Sequence, residues 1–307
     1  MRDPTRDAAT EVADRTGRQS VAVSPTPDPA PPSPPGAPPW PGLAAAAERA
    51  GLTLSPEQID RYARYRDLLL DRRQRVNLTA ITDPNVIERR LFFDALLMLP
   101  AIDVAFAKPP PPGGGQVRLV DVGSGAGFPG LVLAIARPAW RVTLLEATGK
   151  KVAFLDEVIE ALGLPGVTTI HARAEETGRD LDHRGQYDLA TARGVASLPT
   201  LLELCAPLLR RNGIMLFPKG MTITDELAAA RRATSPLGVR IVATDPLPGA
   251  ETETRLIVVR KSASTPDRFP RRAGLPVHEP LGGVARGRRT AVGGGTPPAN
   301  PQVEVAR

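Results

Sequence analysis

The sequence predicts an α/β protein with a doubly wound, mostly parallel sheet, a helical region before the sheet and a disordered tail at each end. Two observations support this fold class. From residue 109 onward, short β-branched apolar runs alternate with segments of helical spacing, which is the pattern of successive strand–helix–strand units. The first of these strands also leads into a glycine-rich turn that opens a helix.

Both ends of the 307-residue chain are predicted to be disordered. Ten of the seventeen residues from Pro25 to Pro41 are proline, which has no backbone N–H, so residues 1–42 are expected to be extended and unpacked. Residues 262–307 contain few large apolar side chains, and they hold seven basic and three acidic residues. The folded part, residues 43–261, has a net charge of only +3, so composition alone does not establish binding to nucleic acid.

Several classes of protein are excluded by composition. A single cysteine, Cys205, cannot form a disulfide within the chain, and the three histidines are too scattered for a zinc site. The longest apolar runs fall short of the roughly 18 residues that indicate a membrane span. The N-terminal residues carry charges without a following apolar stretch, which does not fit a secretory signal. We therefore expect a cytoplasmic protein that binds neither a membrane nor a metal.

Residues 43–108 are predicted to form a helical region. Ser55 to Gln58 is a good helix start, since the serine can cap, a proline follows it, and the glutamine stands three positions later. Apolar and aromatic residues follow at helical spacing: Ile59, Tyr62, Tyr65 and Leu69. Asp83-Pro84 starts a second helix, which is expected to include Ile87, Leu91 and Leu99. The run Pro109 to Gly115 (PPPPGGG) separates this region from the domain over residues 109–261.

The sheet domain contains seven predicted strands and at least four helices. The strands are Arg118–Val122, Arg141–Glu146, Val167–His171, Tyr187–Thr191, Gly213–Phe217, Val239–Ala243 and Thr254–Arg260. The helices are Gly130–Ala136, Lys150–Leu162, Leu198–Arg210 and one from about Asp225. This order predicts a sheet with helices on both faces.

The turn after the first strand is a candidate cofactor site. It reads DVGSGAGFPG from Asp121 to Gly130, and its glycines allow both positive backbone dihedrals and the close approach of a ligand. Glu146 ends the next strand, 21 residues beyond Gly125, where a carboxylate can accept both hydroxyls of a ribose.

Two adenosine cofactors remain compatible with this turn. The spacing Gly125-x-Gly127-x-x-Gly130 satisfies the dinucleotide fingerprint, which places a pyrophosphate at a helix N-terminus. The spacing Asp121-x-Gly123-x-Gly125-x-Gly127 resembles instead the loop of S-adenosylmethionine-dependent methyltransferases, and we favour this second interpretation.

Charged or polar groups follow four of the predicted strands. Glu146 ends the second strand, Arg173-Ala174-Glu175 follow the third, Arg193 follows the fourth and Lys219 follows the fifth. Because ligands of open α/β sheets bind beyond the carboxyl ends of the strands, these residues are predicted to border one cleft.

The chain resembles, in these segments, the bacterial 16S ribosomal RNA guanine-N7 methyltransferases first called glucose-inhibited division protein B. The matching segments lie between about residues 55 and 276: Asn77-Leu78-Thr79, Asp83-Pro84 with Arg89, DVGSGAGFPG, VTLLEATGKK, Ala174-Glu175, Ala192-Arg193 with Ala196-Ser197-Leu198, Lys219-Gly220, and Arg268 to Pro276. Two positions depart from the family: Arg90 stands where its members usually have histidine, and Ala95 where they usually have serine.

The resemblance implies a class I methyltransferase fold, S-adenosylmethionine as cofactor, and 16S ribosomal RNA or the small ribosomal subunit as partner. It further implies that Gly123, Phe128, Ala174, Glu175 and Arg193 contact the cofactor. The loop pattern itself adds Gly125 and Gly127 as predicted cofactor contacts, and the position at the end of the second strand adds Glu146. Arg173 and Lys219 resemble the family's basic residues near the substrate and are predicted to serve catalysis.

Two other functions remain as alternatives. A nicotinamide-dependent oxidoreductase would need a proton donor or acceptor in the cleft, and no well-placed histidine or tyrosine provides one. A non-catalytic RNA-binding protein could keep a degenerate form of the fold, although an intact glycine turn with Glu146 and Glu175 argues against degeneration.

Overall fold

The structure, a computed structural model, describes residues 41–73, 75–81, 83–107, 116–220 and 223–283. The proline-rich tail up to residue 40, the PPPPGGG run and the tail from residue 284 lie outside the described residues. The strands are β1 (Arg118–Val122), β2 (Arg141–Glu146), β3 (Val167–His171), β4 (Tyr187–Thr191), β5 (Leu209–Gly220), β6 (Val239–Pro246) and β7 (Thr254–Lys261).

These strands form one seven-stranded sheet in the order β3-β2-β1-β4-β5-β7-β6. The pairs among β1 to β5 are parallel, whereas β7 runs antiparallel between β5 and β6. The predicted doubly wound, mostly parallel sheet is thus confirmed. Strand order reverses between β1 and β4, and this switch point is where such sheets bind their ligands.

The two central strands are buried on both faces. Every residue of β4 is buried, and in β1 only Arg118 is exposed. Strands in this position need a continuous apolar run rather than an alternating one, because helices cover both sides. The runs RLVDV and YDLAT satisfy that requirement except at Asp121 and Asp188, which are buried carboxylates.

The helices that cover the sheet follow it in chain order. They are α6 (Gly130–Ala136), α7 (Gly149–Leu162), α8 (Ala174–Thr177), α9 (Leu198–Cys205), α10 (Thr224–Leu237) and α11 (Leu275–His278). The helices before the sheet are α1 (Pro41–Arg49), α2 (Pro56–Arg72), α3 (Pro84–Ile87), α4 (Asp94–Leu96) and α5 (Met98–Ala107), with a π-helical turn over Glu88–Phe93.

Helix α2 begins with the capping box that the sequence predicts. The amide of Gln58 donates to Ser55 Oγ (3.3 Å), and the amide of Ser55 donates to Gln58 Oε1 (2.8 Å). The side-chain amide of Gln58 also donates to the carbonyls of Ile135 and Ala136, and Tyr62 Oη donates to the carbonyl of Val132 (2.8 Å). The helical region and the sheet domain therefore share one apolar core.

The second predicted helix is interrupted. It begins at Pro84 as expected, but it passes through the π-helical turn and is broken again at Leu97. Pro100 explains the second break, because a proline has no N–H to donate to the carbonyl four residues earlier. The π-helical turn matters for the site below, since it presents Phe92 and Arg90.

Helix α9 is shorter than predicted. It ends at Cys205 and not at Arg210, because Pro207 cannot continue the helical hydrogen bonds, and β5 starts already at Leu209. The extra strand length contains an irregularity where Asn212 adopts a positive φ of 67°.

The prediction of a disordered tail from residue 262 is wrong for residues 262–283, which pack on the sheet domain. Phe269 is buried, and the guanidinium of Arg184 donates to the carbonyls of Thr265 (2.8 Å) and Phe269 (2.8 Å). Composition failed here because a few buried apolar side chains, Phe269 among them, together with the hydrogen bonds of Arg184 are enough to hold this segment.

Candidate active site

A cleft of about 600 Å³ lies beyond the carboxyl ends of β1 to β4. Eight of the ten predicted site residues line it: Gly123, Gly125, Phe128, Glu146, Arg173, Ala174, Glu175 and Arg193. The other two, Gly127 and Lys219, are not among its lining residues. The arrangement agrees with the expectation that strand ends at one edge of a parallel sheet border a common site.

The three loop glycines all have positive φ: 68° at Gly123, 60° at Gly125 and 99° at Gly127. A Cβ on Gly123 would lie 2.6 Å from the side chain of Val195, so only glycine fits the close approach of that loop. A Cβ on Gly125 would meet nothing nearer than the Gly123 carbonyl at 3.8 Å, so this turn faces open space. The loop therefore presents its backbone to the cleft.

Glu146 links this loop to the neighbouring strand. Its Oε2 accepts the amide of Gly125 (2.9 Å) and its Oε1 accepts the amide of Thr148 (2.9 Å), and the residue is buried. A carboxylate oxygen has two lone pairs, so each oxygen retains one for a hydroxyl donor. The side chain is thus fixed in orientation and still able to accept both hydroxyls of a ribose.

Tyr65 and Phe92 support the loop from the helical region. Tyr65 Oη donates to the carbonyl of Ala126, its ring stacks on Phe128 with centroids 5.2 Å apart, and Phe92 meets Phe128 edge-on at 5.0 Å. Burial raises the pKa of Tyr65 well above its ordinary value, which keeps the hydroxyl a donor. In the sequence, Tyr65 stands out only as one residue of an apolar helix face, and no pattern points to Phe92.

Asp121, in β1, holds the C-terminal end of the glycine loop. Its Oδ1 accepts Thr191 Oγ1 (2.8 Å) and its Oδ2 accepts the amide of Gly130 (3.1 Å), and the side chain is fully buried. Burial raises the pKa of Asp121 to about 6, although its hydrogen bonds oppose the shift. In the sequence, this residue is the acid that precedes the first glycine of the loop pattern Asp121-x-Gly123-x-Gly125-x-Gly127.

Arg193 lies beside a buried carboxylate. Its guanidinium is 3.5 Å from Asp94 Oδ2, and Asp94 Oδ1 accepts the amide of Glu251 (3.0 Å). Burial raises the pKa of Asp94, while the Glu251 amide and the positive charges of Arg193 and Arg90 oppose this. The Nε of Arg90 is buried with no hydrogen-bond partner among the described residues. Arg193, which lines the cleft, thus contacts this buried carboxylate, and the positive charge of Arg90 acts on the same group.

The residues after β3 divide between the rim and the wall of the cleft. Arg173 is exposed and lines the rim, whereas Ala174 and Glu175 are buried. Glu175 Oε1 accepts the amide of Gly274 (2.8 Å), so this carboxylate contacts the C-terminal segment that was expected to be disordered.

Lys219 lies behind the loop that follows β4. Its Nζ donates to the carbonyl of Ala196 (3.1 Å) and to Glu226 Oε1 (2.8 Å), and Glu226 Oε1 also accepts the amide of Leu198 (2.6 Å). Lys219 therefore supports the strand-end loop that carries Arg193, and its predicted contact with substrate stays a prediction.

Several lining residues were not given a role by sequence analysis. Thr79 and Ile81 come from the segment between α2 and α3, Lys151 from α7, Val195 from the loop after β4 and Val277 from α11. None of them belongs to a glycine motif or a strand end, apart from Val195. They reach the cleft only because distant segments fold over it.

The residues that the structure describes contain no helix long and apolar enough to span a membrane. The same residues contain no cluster of three or more potential metal ligands.

Comparison with known proteins gives a consistent family match. The family model described as "rRNA small subunit methyltransferase G" matches residues 58–253. Relatives named ribosomal RNA small subunit methyltransferase G include one from Roseiflexus sp. (strain RS-1), 46% identical over 78% of this chain and 98% of the relative. Another, from Deinococcus radiodurans, is 41% identical over 78% of this chain and 91% of the relative.

Solved structures show a more distant similarity. A variant of the 16S rRNA (adenine(1408)-N(1))-methyltransferase of Catenulisporales acidiphilia, crystallised with SAM, has a TM-score of 0.42 and 18% identity over 54% of this chain and 92% of its own. A ribosomal protein L11 methylase from Lactobacillus delbrueckii has a TM-score of 0.41 and 14% identity over 56% of this chain and 79% of its own.

The loop geometry predicts a large cost for Gly127→Ala. The new Cβ would meet the side chain of Leu131 and lie 2.5 Å from Tyr65 Oη, in addition to the penalty for φ = 99°. We expect the free energy of unfolding to fall by about 2–5 kcal/mol in urea titrations. The control is Gly185→Ala, where φ is 70° and a Cβ meets nothing within 4 Å, with an expected loss of about 1–2 kcal/mol. Equal losses in the two variants would contradict the packing argument.

Asp121 predicts a pH dependence of stability with a defined sign. Its pKa rises from an ordinary 3.8 to about 6, so the folded state holds the proton more tightly than the unfolded state. The resulting stabilisation is fully present below pH 3.8 and is lost as pH rises through 6. It amounts to about 3 kcal/mol.

The measurement compares Asp121→Asn with the unsubstituted protein at pH 4 and pH 7.5. The amide does not ionise, so its packing cost is the same at both pH values. We expect the difference in unfolding free energy to shift by up to about 3 kcal/mol in favour of the variant at the higher pH. A difference independent of pH would show that Asp121 titrates normally.

Proposed function

Since the chain belongs to the ribosomal RNA small subunit methyltransferase G family, we propose that it transfers a methyl group from S-adenosylmethionine to N7 of a guanine in 16S ribosomal RNA. The observation that carries the proposal is the pairing of the open Gly125 turn with Glu146 at the switch point of the sheet. The proposed setting is the cytoplasm, with 16S ribosomal RNA or the small subunit as partner.

The lining residues fit S-adenosylmethionine. Glu146 keeps free lone pairs for the ribose hydroxyls, and the positive-φ turn at Gly125 leaves space for a ligand against the backbone. Arg193, which lines the cleft, would supply a guanidinium for the ligand carboxylate, and the charge of Arg90 acts beside it. The cofactor would supply an electrophilic methyl group on its sulfonium.

Alignment is the main requirement for this reaction. Guanine N7 has an in-plane lone pair and no proton, so the attack needs no general base. Holding two reactants in line can lower a barrier by roughly 7–11 kcal/mol. The glycine loop is held by hydrogen bonds to Tyr65 on one side and to Asp121 on the other. It is therefore fixed before substrate binds, which supports a role in aligning the two reactants.

The cations near the cleft are expected to avoid N7. Arginine usually reads guanine through O6 and N7 together, but a nitrogen that is being methylated must stay free. Arg193 is paired with Asp94 and Lys219 with Glu226. We infer that Arg193 serves the cofactor carboxylate, a phosphate or O6 of the base, and that Lys219, which is outside the lining of the cleft, acts through the loop that it supports.

A nicotinamide-dependent oxidoreductase receives less support. Among the described residues that line the cleft there is neither histidine nor tyrosine to transfer a proton. A binding protein without activity also receives less support, because the loop, Glu146 and Glu175 are all in place.

The experiment that tests the proposed function uses methyl-labelled S-adenosylmethionine with naked 16S RNA and with small subunits. We expect label in guanine, recovered as 7-methylguanine by mass mapping, and saturable binding of S-adenosylmethionine but not NAD. Label in another base would refute the proposed atom. Absence of saturable binding by S-adenosylmethionine would refute the methyltransferase proposal as a whole.

Lys219→Ala tests whether Lys219 supports the loop that follows β4 and carries Arg193. Loss of the bonds to Ala196 and Glu226 would displace the segment beside Arg193, so methylation of the RNA is expected to slow on the order of 10-fold to 100-fold. Binding of S-adenosylmethionine, measured by calorimetry, should persist. Lys150→Ala, at an exposed lysine outside the lining of the cleft, is the control. Unchanged methylation by the Lys219 variant would remove this residue from the site.

A further inference from the structure

The C-terminal segment over residues 269–279, which follows the sheet, forms part of the cleft wall. Val277 lines the cleft, and the amide of Gly274 donates to Glu175 Oε1 (2.8 Å) at its border. The hydroxyl of Thr200 donates to the carbonyl of Pro276 (2.8 Å). The segment therefore touches the candidate cofactor site through both an apolar side chain and a backbone hydrogen bond.

One ion pair anchors this segment to α9. Glu203 Oε1 accepts the Arg271 amide (2.9 Å) and Nε (2.9 Å), and Oε2 accepts Nη2 (2.7 Å). Nη2 also donates to the carbonyl of Glu279 (2.7 Å), so one guanidinium holds both ends of the segment. A planar fork on a carboxylate has a single good geometry, which fixes position as well as proximity.

The burial of Glu203 makes loss of this ion pair costly. Its side chain is 0% exposed, and Arg271 is 21% exposed. A buried carboxylate without its cation carries a large desolvation penalty, so a displaced segment would leave α9 with an unpaired charge. The fold therefore strongly favours the position in which Gly274 bonds to Glu175 and Val277 lines the cleft.

We propose that Arg271, through its ion pair with Glu203, is a positioning residue for S-adenosylmethionine, because it places Gly274 and Val277 against the cleft beside Glu175. This inference rests on the proposed function, since it assigns the segment to the binding of that cofactor. Arg271 itself does not line the cleft, and it acts through the segment that it anchors.

The chain offers a control ion pair at the amino ends of β4 and β5, outside the lining of the cleft. Arg210 pairs with Asp188 near the start of β4, and the side chains are 24% and 5% exposed. Both ion pairs join a partly exposed arginine to a buried carboxylate. Loss of either arginine leaves a buried carboxylate without its cation, but only Arg271 is connected to the cleft.

The test compares Arg271→Ala with Arg210→Ala by calorimetric titration with S-adenosylmethionine, at a temperature where both variants are folded. We expect the Kd of Arg271→Ala to rise at least 10-fold, about 1.4 kcal/mol, and that of Arg210→Ala to stay within about twofold of the unsubstituted protein. The KM for 16S RNA of Arg271→Ala should remain unchanged at saturating cofactor. A Kd within twofold for Arg271→Ala, or equal increases in both variants, would overturn the proposal.

A second measurement needs no variant. Because binding and segment placement are linked, S-adenosylmethionine should slow hydrogen exchange at the amides of Gly274 and Val277 in the full chain. Unchanged exchange at these amides would overturn the positioning role even where Arg271→Ala does not fold. A full chain that fails to bind S-adenosylmethionine at all would instead refute the proposed function, and the two failures are therefore distinguishable.

Discussion

The hydrogen bond between the Gly125 amide and Glu146 is the contact on which the site depends. It joins the turn after β1 to the end of β2, and it benefits both the carboxylate and the glycine turn. A buried carboxylate requires donors, and a glycine loop requires something to fix it, because glycine loses more conformational freedom than any other residue. The same bond leaves acceptor capacity on Glu146 directed toward the cleft.

Further contacts hold the loop from two sides. Asp121 accepts the Gly130 amide from within the sheet, and Tyr65 donates to the Ala126 carbonyl from the helical region. The helical region thus helps to fix the site, since its aromatic residues pack on Phe128. A loop held in this way binds a ligand without first being ordered, which lowers the cost of binding.

Sequence patterns predicted the central strands and the lining glycines because both are local signals. Strand β1 is a short apolar run, and a positive φ at Gly125 needs no partner elsewhere in the chain. The roles of Tyr65, Asp94 and Val277 arise from contacts between residues that are far apart in the sequence. The periodicity of apolar residues within one element does not reveal such contacts. The error at residues 262–283 has the same origin, since Arg271 was counted as a solvated charge although its partner Glu203 is buried far back in the chain.

The charges around the cleft are consistent with methylation of a neutral base. Arg193 and Lys219 each have a carboxylate partner, and burial lowers the pKa of Arg193, whereas Asp94 opposes this. A guanine that receives a methyl group at N7 becomes positively charged, and an uncompensated cation beside it would raise the barrier. Pairing these cations with Asp94 and Glu226 reduces that repulsion. Arg173 is exposed at the rim of the cleft, and its predicted role in catalysis stays a prediction.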